Sequence, residues 1–461
     1  MNRLFRVFIP AGVVALIFSE IVLITASFVL ATFLVLEVEP TVFLLYDGGL
    51  TRLLVVTGSI MFALHFNDLY THIRVASKVI LLQQFTLVIG VAFLGQALVS
   101  YISPDMRVPI RVMLAGSTIT VVTLFLWRVF YSRYALRVMG GNRILFVGWN
   151  PLVQEIAQQI EEHPELGFEP IGYLDDHGPH GYSGCKYLGA VQDLSKIAGE
   201  AKPDRIVVGI SERRERMPLA DLLNLRFAGF IIEEAGSTYE TVCGRISTKE
   251  LRHSQLIFSG ELGPAAKTLF VQRIFNLAVA SIGTLVSLPV MLLAAAAVKL
   301  SSPGPILYRQ TRVGFHGNPF TIYKFRSMYA DAEARTGAVW AKKNDPRITP
   351  IGRILRKTRV DELPQLFNVL KGDMSIVGPR PERPEFVDTL KDHIFFYPQR
   401  HAVKPGITGW AQINHKYGDT LEDSVKKLEY DLYYIKNMSQ GLDTYIIFHT
   451  AKTMILSRGA Q

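Results

Sequence analysis

Cysteine is almost absent from this chain of 461 residues. Only Cys185 and Cys243 occur, with no CxxC spacing and no histidine at metal-ligand distance. That argues against a structural zinc site and against a disulfide framework, and two unpaired thiols fit a reducing cytoplasm. Charge is also scarce, at 19% of residues, against about 25% in ordinary proteins. No zinc-finger or RNP pattern is present, so the net charge of +9 points to a membrane surface and phosphorylated substrates, not to nucleic acid. What is abundant is apolar: 49% of residues are hydrophobic and the mean hydropathy is +0.23. A soluble chain of this length would rarely be so apolar, so part of it belongs in lipid.

The apolar residues are bunched. Runs over 8–36, 41–66, 79–102 and 108–127 are each long enough to span a bilayer, which needs about 20 residues, and they predict four transmembrane helices. The first carries a lone Glu20, and no intramembrane charge cluster marks a substrate path. Arg3 and Arg6 precede the first run, Arg74 and Lys78 follow the second, and Arg128, Arg133, Arg137 and Arg143 follow the fourth. Glu37, Glu39 and Asp47 lie on the other side. Lysine and arginine bias therefore places both the N-terminus and everything beyond residue 128 in the cytoplasm, with Arg107 and Arg111 against the pattern.

From about residue 140 the composition turns soluble. ILFVGWN (144–150), EPIGYLDD (169–176), DRIVVGI (204–210) and FIIEEA (230–235) read as strands. Helical patterns over 151–162, 191–201 and 218–228 separate them. This alternation predicts a parallel, doubly wound α/β sheet, a Rossmann-like domain. The dinucleotide fingerprint is missing: Asn150 and Val153 stand where glycines are needed, and only Gly148 remains. Asp175 or Asp176 could mimic the ribose-binding acid or simply end a strand. A structural or regulatory module is the better reading.

Residues 271–300 form a further apolar segment, interrupted by Pro289, which removes a backbone donor. It either spans, placing the basic remainder outside, or re-enters and returns to the cytoplasmic face. The second reading agrees with the charge bias. Beyond it stands the acidic pair Asp361-Glu362, preceded by Arg353, Arg356, Lys357 and Arg359. Asp361 can be read as an ordinary helix cap followed by Pro364. It can also be read as a nucleophile toward phosphorus, with cations and Mg²⁺ screening a diphosphate. GPRPERP (378–384) holds Arg380 on a stiff turn. Lys324 and Arg326, either side of Phe325, would share one strand face. PGITGW (405–410) is either a pocket wall or core.

The string DELPQLFNVLKGDMSIVGPRP carries a long and specific resemblance. The region 265–461 resembles the monotopic phosphoglycosyl transferases, the bacterial sugar transferase family. The whole arrangement resembles that family's large members: a four-helix bundle (1–137), a Rossmann-like domain (138–260) and an α/β transferase domain (261–461) with a re-entrant helix at about 271–300. The resemblance implies a ping-pong reaction at the cytoplasmic face of the bacterial inner membrane. Asp361 would attack the sugar-bearing phosphate of a UDP-sugar donor, releasing UMP. The acceptor, polyprenyl (undecaprenyl) phosphate, would then take the sugar phosphate. Glu362 would help Asp361 hold Mg²⁺; Lys324, Arg356 and Arg380 would handle phosphate, with Arg326 a substrate-binding candidate by its place on the strand face of Lys324; and Pro289 would mark the membrane break. The product would feed downstream glycosyltransferases of exopolysaccharide, capsule or O-antigen synthesis. A homodimer is left open by the bundle and the extra domain. This chain departs from the family at Leu288-Pro289, where Ser-Pro is common, and at Asn276, where an acid is common. A membrane-bound nucleotide sensor and a four-helix transporter are the competing classes; the intact Asp361–Glu362 pair weighs against the first, and the scarcity of intramembrane charge against the second.

Overall fold

A computed structural model describes residues 3–4, 7–8, 11–67, 69–70, 78–132, 142–180, 184–210, 217–248, 266–329, 345–415 and 420–455. Arg6, Arg74, Arg133 and Arg137, and the expected domain boundaries at 137 and 260, lie outside the described residues. The chain divides into two compact units, Phe8–Thr238 and Tyr239–Gln461, with a short N-terminal piece, Arg3–Val7, joining the second.

The first unit opens with four helices: α1 (Ala11–Val35), α2 (Gly49–Phe66), α3 (Lys78–Ile102) and α4 (Ile110–Phe130). Each is long and apolar enough to cross a membrane. Leu16, Ile24 and Phe28 of α1, Leu53 and Ile60 of α2, Phe85 of α3 and Leu124 of α4 form their common core. Phe18, Leu34, Leu94 and Leu126 point outward and are more than half exposed, as in a bundle solvated by lipid. Gly116 lets α4 approach α1, because a Cβ there would lie 2.5 Å from the Phe28 ring.

Two expectations change here. The run 41–66 is not one helix: a short six-residue helix over Pro40–Leu45 ends before Asp47, and Gly48, left-handed at φ +69°, starts α2 afresh. The bundle also holds a charge cluster after all. α4 continues past residue 127, so Arg128 lies inside the bundle instead of flanking it, bonding Glu20 through Nε (2.6 Å) and Nη2 (3.1 Å). Tyr70 donates to the same carboxylate at 2.5 Å. The cluster is closed on itself, as buried ion pairs need to be. On the other side, Arg111 pairs with Glu37, which offsets one of the two cations that opposed the charge bias.

The α/β part has five parallel strands, β1 (Asn142–Val147), β2 (Phe168–Leu174), β3 (Tyr187–Gly189), β4 (Arg205–Val208) and β5 (Ile231–Glu234), in the order β3-β2-β1-β4-β5. Crossovers include α5 (Pro151–Glu162), α6 (Leu194–Ala201) and α7 (Leu219–Phe227). Strand order reverses about β1, the place where doubly wound sheets hold ligands. Here the groups at that place are engaged by the protein. Gly148 N–H bonds Leu174 O (2.7 Å), Asn150 caps α5 and donates to Gly209 O (2.7 Å), and Asp175 pairs with His180 (2.7 Å).

In the second unit the long helix α8 (Ala266–Ser301) is continuous through Pro289. Next come the antiparallel hairpin of β6 (Leu307–Val313) and β7 (Pro319–Phe325), helices α9 (Pro350–Lys357) and α10 (Gln365–Lys371), and strand β8 (Ser375–Val377). Then follow α11 (Pro384–His393), β9 (Gly406–Thr408) paired parallel to β8, α12 (Trp410–Asn414), α13 (Leu421–Asn437) and α14 (Gln440–Ile455). The core gathers Val369, Ile376, Leu432, Tyr434, Leu442 and Ile446. Trp410 belongs to it, donating to Gly244 O (2.8 Å) and stacked on Tyr433, so PGITGW is core rather than a pocket wall. Residues 239–248 pack in this unit too, with Ile246 N–H on Glu429 O (3.1 Å).

Candidate active site

The site forms where α9, α10 and β7 converge. α9 ends at Lys357, and Arg359 then turns left-handed (φ +58°) to begin a single turn over Val360–Glu362. A side chain in that region costs roughly 1–2 kcal/mol, a local strain of the kind that gathers at working sites. Leu363 and Pro364 lead directly into α10. There the fully buried Asn368 accepts from Tyr323 N–H (3.0 Å) and donates to Thr321 O (2.7 Å). That side chain fixes α10 against β7 and so sets the distance from Lys324 to the acidic pair.

Lys324 Nζ reaches Glu362 Oε1 at 2.8 Å, and Arg380 Nη2 stands 3.5 Å from the same oxygen. Burial raises the Glu362 carboxyl, but these two cations outweigh it and hold the group well below the usual carboxylate range. Asp361 behaves oppositely. It is 7% exposed, and burial with the neighbouring Glu362 charge pushes it up to about 6 against the pull of Lys324, Arg356 and Arg359. Its Oδ1 is buried and accepts no hydrogen bond among the described residues. Arg356, on α9, is oriented by a bond from Nε to Ser327 Oγ (2.9 Å).

Four expected residues, Asp361, Glu362, Lys324 and Arg380, therefore meet, with Arg356 beside them. Arg326 does not. The strand ends at Phe325, so alternation no longer governs the next side chain. Arg326 is 4% exposed and donates to Ser302 O (2.7 Å), Pro303 O (2.8 Å) and Val298 O (3.3 Å). It closes the C-terminal end of α8, where carbonyls lack helical partners. The break expected at Pro289 is not formed, since α8 runs through it as helix, and the Ser287 hydroxyl lies 3.5 Å from Thr284 O. Asn276 bonds Ser375 Oγ (2.8 Å) and accepts from Ile376 N–H (3.2 Å), tying α8 to β8 as an amide.

Among the described residues no group of three or more histidine, cysteine or acidic side chains could hold a metal. The free Asp361 oxygen beside Glu362 still suits a hard divalent cation that takes its other ligands from substrate oxygens and water. The sequence reading also passed over a buried cluster behind the site, Arg400, Asp431 and Tyr397. A signal was available: Asp431 falls on the apolar stripe Leu428, Leu432, Ile435 of α13, where an acid implies a buried partner.

Comparison with known proteins agrees with this architecture. Residues 267–457 match the family described as bacterial sugar transferase, and residues 65–220 match a CoA-binding domain. An N-acetylgalactosaminephosphotransferase acting between UDP-N-acetylgalactosamine and undecaprenyl phosphate, from Aeromonas hydrophila, is 46% identical over 48% of this chain and 52% of its own length. The match thus spans about half of that relative. UDP-glucose:undecaprenyl-phosphate glucose-1-phosphate transferases from Klebsiella pneumoniae (35% identical, 70% of each chain) and Escherichia coli (33% identical, 84% of each chain) align over more of the sequence.

Proposed function

The chain belongs to the bacterial sugar transferase family, and on that premise we propose that it transfers a sugar 1-phosphate from a UDP-sugar to polyprenyl phosphate. An Asp361 carboxylate oxygen attacks the phosphorus that bears the sugar. The bond from that phosphorus to the bridging oxygen breaks, and UMP leaves with the electron pair. A phosphate oxygen of the polyprenyl phosphate then attacks the same phosphorus and expels the Asp361 carboxylate, giving a polyprenyl diphosphate sugar. The observation that carries this reading is the buried, unbonded Oδ1 of Asp361 beside a carboxylate already neutralised by Lys324 and Arg380. With a pKa of about 6, Asp361 is largely ionised at neutral pH yet stays basic enough to attack.

Arg380 and Arg356 hold the phosphoryl oxygens, and Glu362, pinned by Lys324, keeps Asp361 from rotating away. Mg²⁺, held by Asp361 and assisted by Glu362, would supply charge neutralisation for the diphosphate.

The bonds of α8 favour attachment at one membrane face over a span, although the helix runs through Pro289 without the expected break. Gln272 bonds Tyr434 (2.8 Å) and Asp443 (3.0 Å) near one end, while Val298 O accepts from Arg326 near the other (3.3 Å). Gly283, midway, faces Leu366. Residues 276 to 298 would rise about 33 Å in a straight helix, more than the ~30 Å hydrocarbon core. A spanning helix would put its ends on opposite sides, yet both ends bond one domain. Between them Leu285, Val286, Leu292 and Leu293 are well exposed and suit lipid. The lysine and arginine bias favours the cytoplasmic face of the inner membrane for this domain.

The test is UMP release by detergent-solubilised protein given undecaprenyl phosphate and either UDP-glucose or UDP-N-acetylgalactosamine. Turnover with one of them, abolished in Asp361→Asn, supports the reading. Folded protein silent with both donors and with other UDP-sugars, with and without Mg²⁺, contradicts it.

A further inference from the structure

The segment Gly378–Pro384 contains three prolines, so much of its backbone has no N–H with which to hold itself. Several of its remaining polar groups are held from outside. Gly378 N–H bonds Thr408 O (2.9 Å), Gly406 N–H bonds Pro379 O (2.9 Å) and Val313 N–H bonds Glu382 O (3.0 Å). Close glycine packing permits this: a Cβ on Gly406 would fall 2.1 Å from Gly378 N. The two carbonyls between are taken by guanidinium groups. Arg312 Nη1 donates to Pro381 O (3.0 Å), and Arg400 Nη2 donates to Arg380 O (3.0 Å).

Arg400 is the more deeply placed of the two, with 6% of its side chain exposed. It lies 2.8 Å from Asp431 Oδ2, itself 2% exposed, and donates to the Tyr397 hydroxyl at 2.5 Å. An ion pair so buried gives little net stability over an apolar pair of the same shape. What it gives here is direction, because the carbonyl it holds belongs to Arg380, whose guanidinium stands beside Glu362. The Tyr397 ring also lies against the Arg400 guanidinium, 5.1 Å from centroid to Cζ.

We propose that Arg400, fixed by Asp431 and Tyr397, is a positioning residue for the transfer reaction. By clamping the backbone carbonyl of Arg380 it aims the Arg380 guanidinium at the sugar-bearing diphosphate of the donor. The inference rests on the phosphate-binding role given to Arg380 above. Arg400 acts only through Arg380, so its removal has little left to disturb once the Arg380 side chain is gone.

A double-mutant cycle on the full chain in detergent tests this, read as kcat/KM for the UDP-sugar in UMP release, with the unfolding midpoint measured alongside. Arg380→Ala and Arg400→Met each lower kcat/KM by about 10- to 100-fold, the scale of a misaimed contact, and the double variant falls no lower than Arg380→Ala. Tyr397→Phe, which removes one bond from Arg400 and keeps the ring, serves where Arg400→Met does not fold. It lowers kcat/KM several-fold in the otherwise intact protein and leaves the Arg380→Ala protein unchanged. Losses that multiply on the Arg380→Ala background overturn the proposal, as does unchanged kcat/KM in folded Arg400→Met, or in Tyr397→Phe where Arg400→Met does not fold, beside a damaged Arg380→Ala. An unchanged kcat/KM in Arg380→Ala instead removes the phosphate role of Arg380, and the proposal falls with it.

Discussion

Two adjacent carboxylates at one turn are driven apart in acidity by unequal neighbours. Glu362 has Lys324 and Arg380 at its oxygen, whereas Asp361 has burial and a like charge. The acid limb of the rate profile therefore belongs to Asp361: kcat/KM is predicted to fall about tenfold per pH unit below roughly 6, measured by UMP release across pH. Stability carries the matching sign. A native pKa above the unfolded one favours folding fully below about 3.8, and that contribution is lost as pH rises through about 6. At pH 7, without donor or Mg²⁺, Asp361→Asn is then expected to be inactive yet more stable than the parent, by up to about 3 kcal/mol if the whole shift is recovered, read from denaturant unfolding. Lys324→Met should do the reverse to Glu362. It leaves the buried carboxylate with Arg380 at 3.5 Å as its remaining ion pair, which destabilises by about 1–3 kcal/mol, and raises that carboxyl's pKa. At this scale most of the candidate site was legible, because the acidic pair, Lys324, Arg356 and Arg380 announce themselves by charge in an otherwise apolar or turn-rich setting. Arg326 was misread for want of a single strand residue, and Arg400 and Asp431 were missed because their partnership joins residues far apart in the chain.

Elements show where local pattern suffices and where it fails. The strands β1, β2, β4 and β5 and the helices α5 to α7 follow their apolar periodicity closely, while β3, only three residues long, is too short to have a period. The break before α2 turns on Asp47-Gly48, two residues inside a run that hydropathy alone treats as continuous. α8 is the element with most at stake. If it returns through one membrane face, cysteines placed at Lys267 and Ser301, with Cys185 and Cys243 replaced by serine, are labelled by an impermeant reagent from the same side of the membrane. Labelling from opposite sides contradicts the re-entrant reading. Arg326→Ala should leave the carbonyls of Ser302 and Pro303, just past α8, without their guanidinium donor, and Val298 O with Ser301 Oγ alone, lowering stability by about 1–3 kcal/mol through the helix end.

Across the whole molecule, the division of labour follows from composition. A lipid-solvated bundle with a closed ion-pair cluster, a doubly wound sheet whose switch-point groups bond one another, and a transferase domain with an exposed apolar helix suit the proposed work on a lipid substrate at a bilayer surface. The central claim is that Asp361 carries the sugar phosphate between donor and acceptor. Isotope exchange between labelled UMP and UDP-sugar, with polyprenyl phosphate left out, tests it most directly. A covalent intermediate on Asp361 predicts exchange without acceptor, and none in Asp361→Asn. Exchange that needs the acceptor, or that survives in Asp361→Asn, would contradict the account.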